Sequence, residues 1–223
     1  MKRTYRYFVA LAAAALLLCL VPSMLQAFPK PKLVPTEWEL KIKYEKPRRI
    51  VVMLPGSDVP HAYWYLLFTV TNPTDVEQAF LPNFQLVTKM GTAIQSDQNI
   101  PQEVFDAIQA RERIKDLEPL AKVAGRLLVG NDQAKDGLAI WPEPADARME
   151  TFDIFIGGLS GESCFLKDGQ ETQIKDWTAL SDQEKKDLIV LHKTLQLTFQ
   201  MPGEGFRDNQ DSIIDKGSQW VMR

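Results

Sequence analysis

Two cysteines and two histidines in 223 residues leave little from which to build a metal or redox centre. Cys19 falls in a leader segment, so the rest of the chain holds Cys164 alone and cannot form an intramolecular disulfide. A lone cysteine on a strand usually serves as a small hydrophobe, and Cys164 is expected to be buried and unreactive. A blue-copper site needs a histidine and a methionine within a few residues after its cysteine, whereas Phe165-Leu-Lys-Asp-Gly-Gln-Glu-Thr-Gln-Ile174 follows here. His61 opens a strand and His192 lies inside one, positions that suit surface or packing histidines. No metal and no cofactor are expected. A phosphate loop and a dinucleotide fingerprint are also missing, as is any Lys/Arg run that would seat nucleic acid. Gly158-Leu-Ser-Gly-Glu162 approaches the G-x-S-x-G elbow, but Glu162 replaces the last glycine and a strand, not a helix, follows. That stretch is expected to be a glycine-rich loop between strands, and the chain is not expected to be an enzyme.

Long apolar runs are scarce as well. The longest, Phe8 to Leu20, follows the basic Met1-Lys-Arg-Thr-Tyr-Arg6 and precedes Leu25-Gln-Ala27. Its 13 residues fall short of the ~20 that span a bilayer. Basic start, short apolar core and small final residue together predict a cleaved signal peptide over residues 1–27, with no integral membrane segment afterwards. Leu16-Leu-Leu18 before Cys19 lacks the small residues that lipidation needs. Without Lys2, Arg3 and Arg6, the 26 basic residues become 23 against 29 acidic, a net charge of −6.

What remains is rich in strands. Residues 28–35 form a Pro-rich tether. Thr36 to Glu45 alternates Trp38, Leu40, Ile42 and Tyr44 with charged residues, and Arg48 to Leu54 is a second strand. Ala62 to Thr71 is the central strand, with Trp64, Leu66, Phe68 and Val70 on a dry face and Tyr63, Tyr65, Leu67, Thr69 and Thr71 on an amphipathic one. Asn72-Pro-Thr-Asp75 stops it. Pro82 divides two later strands and marks an edge, a bulge or a change of sheet. One surface helix is predicted near 101–115, laid over one end of the fold with its charged second half in water. Lys122 to Val129 reads as strand, Gly130 to Gly137 as a polar loop, and Leu138 to Trp141 as a short strand. Glu150 to Ile156 follows, then a hairpin turning at Asp168-Gly169, a capping box at Ser181-Asp-Gln-Glu184, and a long strand from Leu188 to Met201. Residues 202–223 form a C-terminal extension whose Gln219 to Met222 is expected to pair as a short strand.

Strands at short spacing with one inserted helix give a mainly β, antiparallel sandwich over residues 36–201. Three stretches, Tyr65-Leu-Leu-Phe-Thr-Val-Thr-Asn72, Phe80…Phe84-Gln-Leu86 and Gly137-Leu-Ala-Ile-Trp141, resemble the Ig-like domains of exported bacterial proteins of uncharacterised function. The resemblance implies an Ig-like sandwich and an exported, periplasmic or extracellular location, and carries no activity with it. On this reading the chain is a non-catalytic interaction or structural module, and its partner is another envelope or secreted protein. Trp177, Phe206 and Trp220 lie outside the strong strands and are the candidate binding residues. A small molecule or glycan held in a cleft at the sandwich end is the alternative. The leader makes a direct prediction. Mass spectrometry of the cell-derived protein should find Phe28 as the first residue, and a peptide containing Cys19 would contradict it.

Overall fold

The structure is a computed structural model that describes residues 28–144, 150–174, 176–203 and 212–223. The predicted leader, Phe206 and Asp208 to Asp211 therefore lie outside the described residues. The described chain is mostly β, with several antiparallel sheets in an arrangement compatible with a β-sandwich.

Sheet I is organised by β3 (Pro60–Asn72). Along one of its sides run β1 (Lys41–Tyr44) and then β2 (Arg48–Met53), interrupted around Pro47, which has no N–H for the ladder. On the other side lies β9 (Gly130–Pro142), followed by the two-residue parallel β7 (Glu118–Pro119). Sheet II is organised by β13 (Leu188–Gln200). Its neighbours are β10 (Thr151–Gly157) with β11 (Ser163–Lys167), and β14 (Ile214–Met222). Beyond β10 come β5 (Asn83–Thr88) and β6 (Ala93–Gln95), and beyond β11 comes β12 (Gln170–Thr172). The hairpin of β11 and β12 turns at Asp168 and Gly169, both at positive φ. Pro82 is a change of sheet, because β4 (Gln78–Phe80) leaves to pair with β8 (Gly125–Leu127).

The main core lies between the two sheets. Trp64, Leu66, Phe68 and Val70 of β3 meet Phe84, Leu86, Phe152, Ile154, Leu197 and Phe199 of sheet II. Phe68 and Phe84 have ring centroids 4.8 Å apart, and Phe152 stacks on Phe199 at 5.6 Å. Phe68 needs the bare backbone of Gly137 opposite it, since a Cβ there would enter the phenyl ring. At the end of β3, buried Asn72 donates to the Val76 and Leu127 carbonyls and accepts from the Thr74 amide. The stop expected from the sequence is thus a fully bonded Asx turn.

Several expectations change. The second face of β3 is dry over its middle, where Tyr63, Tyr65 and Leu67 are buried. His61 before them and Thr69 and Thr71 after them keep partial exposure. The cover is α1 (Gln102–Glu112), which lies on this face and not on an end of the sandwich. Its Val104 and Ile108 are fully buried there. Its charged end is not simply solvated either: Glu112 accepts from the Tyr65 hydroxyl at 2.5 Å and pairs with Arg48, while Arg111 donates to the Arg49 carbonyl. Of the expected strand at Lys122 to Val129, Gly125 to Leu127 is β8, while its first two residues close a short helix, α2 (Leu120–Val123). Gly130 to Gly137 is the first half of β9 and not a loop. Its polar side chains suit a strand that pairs with the wetter half of β3. The C-terminal strand has nine residues, because Ile214 to Met222 pairs along most of β13 and Ile213 is fully buried.

The faces of β3 set an expected ranking. Phe68→Ala should cost ~3–5 kcal/mol in chemical denaturation, since it removes a buried ring and leaves a cavity. Thr69→Ala should cost about 1 kcal/mol or less, through loss of its hydrogen bond to Asp136 at 2.6 Å. Equal losses would contradict this assignment of faces.

Candidate functional site

The inward face of β13 reads Leu191, Lys193, Leu195, Leu197, Phe199, so a lysine occupies a core position. Lys193 is only 2 % exposed. It stands beyond the rim of sheet I, where the inner face of sheet II passes under the Pro-rich tether. Its ammonium lies 3.1 Å from Glu162 Oε2, 3.0 Å from Glu39 Oε2 and 5.0 Å from the centre of the Trp220 ring. Glu162 is buried as well, and its Oε1 accepts the Lys32 amide at 2.9 Å. The contact with Glu39 is an ion pair off the line of a hydrogen bond.

Backbone geometry delivers these groups. Leu40 donates to the Leu159 carbonyl and Gly161 to the Trp38 carbonyl, which carries Glu39 across to sheet II. Gly161 must be glycine at this crossing, since a Cβ would meet the Trp38 indole. Lys193 also donates its main-chain N–H to the Glu162 carbonyl at 2.9 Å. The Gly158 to Glu162 stretch is therefore the loop that seats Glu162, and Ser160 is engaged in it by accepting the Glu162 amide.

The electrostatics hold these charges in place. Burial pulls the Lys193 ammonium down, but Glu39 and Glu162 outweigh it and leave its pKa above the ordinary lysine value. Burial pushes the Glu162 carboxyl up, yet the Lys32 amide and Lys193 bring it below the usual carboxylate value. Neither group changes charge near neutral pH, so the cluster is poorly suited to general acid–base work. Asp97 is pushed up to about 6 by burial, and it sits in a separate turn after β6.

Of the hollows that adjoin the cluster, two share Glu39 and Trp220. One, of about 640 Å³, runs under the tether and is walled by Phe28, Pro31, Leu33, Lys193 and Met222. The other, of about 700 Å³, follows the open seam between β1 and β14, with Ile42, Tyr44, Leu195 and Ser218 in its walls. Tyr44 reaches across this seam. Burial and then the Asp215 carboxylate raise its pKa, while a hydrogen bond with Ser218 opposes them. Both strands present an unpaired outer edge among the described residues. His192 and Arg223 exchange main-chain bonds at 2.7 and 3.0 Å, so by alternation Val221 and Gln219 also face β13. The main-chain groups of Trp220 and Ser218 then point to the open edge.

Of the residues expected from the sequence, Trp220 lies in this site. Trp177 does not: it is 40 % exposed and stacked on Phe165 at 5.5 Å, with Lys185 5.9 Å from its centre, and it lines neither hollow. Phe206 lies outside the described residues. Lys193, Glu162 and Glu39 were not anticipated, although a lysine at inward parity between Leu191 and Leu195 was a visible signal. Cys164 is half-buried against Leu166, Leu191 and Met222, less enclosed than expected. Burial, then Glu171 and Glu162, raise its thiol pKa. Among the described residues no cluster of His, Cys, Asp and Glu could hold a metal, and no helix is long and apolar enough to cross a membrane. Comparisons with protein-family models, curated proteins and solved structures find no match.

The cluster should be acid-labile. Because folding lowers the Glu162 pKa, its stabilisation is present above the ordinary carboxylate range and is lost as pH falls through its folded value. Glu162→Gln should cost ~3–5 kcal/mol at pH 7 by stranding part of the Lys193 charge. The variant should also lose less further stability than the parent in urea melts taken from pH 6 down to pH 3. Parallel curves for the two proteins would show that other carboxyls govern the acid response.

Proposed function

We propose that the chain is an exported, non-catalytic Ig-like sandwich that binds an extended segment of another envelope or secreted protein along the seam between β1 and β14. The observation that carries this reading is the seam itself, a hollow of about 700 Å³ flanked by two strands whose outer edges are unpaired among the described residues. Such an edge offers main-chain donors and acceptors in a fixed row, and an added strand satisfies them while alternate side chains fill the groove. Tyr44 and Trp220 supply the aromatic anchors common where proteins meet. The fixed charges of Lys193 and Glu162 support a non-catalytic role, because neither acid nor base is poised near neutral pH.

A second reading has its own support. The hollow under the tether, about 640 Å³ and mostly apolar with one buried ion cluster, falls in the range that holds small molecules. A ligand there would touch Trp220 from the other side.

The test is photo-crosslinking in the producing cell, with a reactive side chain placed at Lys43 or, as a control, at Lys122. The seam reading expects a discrete adduct with one envelope or secreted protein from position 43 only. Ser218→Pro, which removes an edge donor together with the Ser218 bond to Tyr44 but keeps Gln219 facing β13, should abolish that adduct without lowering the melting temperature by more than a few degrees, whereas Ser218→Ala, which removes only the hydroxyl, should keep it. An adduct that persists undiminished in Ser218→Pro, or equal labelling from both positions, would overturn the reading.

A further inference from the structure

The helix α1 is anchored along a single row of the sheet I register. Ile140 of β9 lies opposite Tyr65 of β3, and Tyr65 lies opposite Arg48 of β2. The helix is approached through a turn bonded to the first of these strands, and it ends on the other two. In that turn Asp97 donates its main-chain N–H to the Ile140 carbonyl at 2.8 Å, while Ser96 donates to the Phe84 carbonyl of sheet II. The turn therefore ties the two sheets together on the side away from the seam. Asp97 and Asn99 both adopt positive φ, 58° and 55°, as the chain turns towards the helix. Pro101 gives α1 no side-chain cap, so the Asp97 turn is the polar anchor of its start among the described residues. At the other end Glu112 accepts from the Tyr65 hydroxyl and pairs with Arg48, and Arg111 donates to the Arg49 carbonyl.

The two anchors need opposite charge states. Asp97 Oδ2 and Ser96 Oγ are both buried and complete no hydrogen bond among the described residues. A proton on Oδ2 is the donor this pair lacks, and Ser96 Oγ can accept it. Burial pushes the Asp97 carboxyl up to about 6, against the opposing effects of the Ser96 hydroxyl and the Ile140 main chain. Charged groups on the surrounding elements contribute nothing to it. Glu143 is held by Arg49 at 2.8 and 3.0 Å, Lys135 donates to the Val123 carbonyl, and Asp136 accepts from Thr69. Glu118 of β7 sits opposite Gly137, and Glu103 and Asp106 of α1 are exposed. At Glu112 burial pushes the carboxyl up, but the bonds from Arg48 and Tyr65 outweigh it and bring it below the usual carboxylate value.

We infer that α1 is a pH-sensitive cover on sheet I, latched at its start by protonated Asp97 and at its end by ionised Glu112. Docking raises the Asp97 pKa, so the first latch is present in acid and is lost as pH rises through about 6. Docking lowers the Glu112 pKa, so the second is present above the ordinary carboxylate range and is lost as pH falls through its docked value. Tyr65 and Arg48 keep their protons throughout. Both latches hold together only in mildly acidic solution. Towards neutrality the ionised Oδ2 is buried without a donor, and it gains water by leaving Ile140. The start of α1 then loosens, and with it the cover that Val104 and Ile108 give to Tyr63, Tyr65 and Leu67. The device lies across the molecule from the β1–β14 seam and does not rest on the function proposed for it.

Hydrogen exchange of the full chain, followed by mass spectrometry and corrected for the intrinsic effect of pH, provides the test. Amides of residues 105–112 should exchange faster than those of β13 at both pH 5 and pH 7.5. Their protection should fall about tenfold between the two, the step expected for a carboxyl that titrates near 6 when docked and near its ordinary value when free. Asp97→Asn, which is neutral and tolerates positive φ, should abolish the step and keep the helix protected at pH 7.5. Glu112→Gln should lower protection of the helix at both pH values and leave the step in place. Equal protection of the parent helix at pH 5 and pH 7.5 overturns the inference. So does a step that survives in Asp97→Asn, which would assign it to another group, or exchange of the helix at the β13 rate, which would mean that α1 opens only when the whole fold does.

Discussion

Loss of water from both faces of β3 is the constraint on which the rest of the structure depends. Trp64, Leu66 and Phe68 on one side and Tyr63, Tyr65 and Leu67 on the other cannot be satisfied by a single partner layer. Sheet II answers the first set and α1 the second. A helix with so few apolar positions would bind a sheet weakly by burial alone, and Glu112 and Arg111 add directed bonds to Tyr65 and to the Arg49 carbonyl. Burial and the bond to Glu112 push the Tyr65 hydroxyl far above its ordinary pKa, so it remains a donor at any physiological pH.

The same economy explains why Lys193 is tolerated in a core position. An isolated buried ammonium would be strongly disfavoured, but here two carboxylates and an indole face surround it, and each carboxylate is carried by a different segment. Glu39 comes from the approach to β1, Glu162 from the loop between β10 and β11, and Lys32 adds the tether's amide. The cluster thus specifies how the tether, both sheets and the last strand meet around the seam. A hydrocarbon at position 193 could fill the space and would leave that register undirected.

Much of this was legible in the sequence because strands declare themselves by alternation. The inward face of β3, the break at Pro82, the Asp168-Gly169 hairpin and the Ser181–Glu184 capping box follow from local chemistry, and the structure contains each. What was hidden depends on partners distant in sequence. Gly130 to Gly137 has the composition of a loop and becomes strand only because Thr69 to Asn72 lies beside it. The charged end of α1 looks solvated until Arg48 and Tyr65 are placed beneath it. Trp220 could be singled out as an aromatic outside the strong strands, but its neighbour Lys193 could not be assigned to it without the pairing of β13 with β14.

The tether's docking has a consequence for when the fold can close. Lys32 bonds to Glu162 across 130 positions, Leu40 to Leu159 across more than a hundred, and β1 faces β14 from the opposite end of the chain. Such separations give a high contact order, and the entropy of closing these loops must be met before the contacts stabilise anything. A chain emerging from its N-terminus can pair β2 with β3 early, but the seam has no second wall until β14 has been delivered. The polypeptide therefore stays open along this side until β14 follows β13, with β1 carrying an unpaired outer edge throughout that interval. Any helper that guards the nascent chain would find its target there.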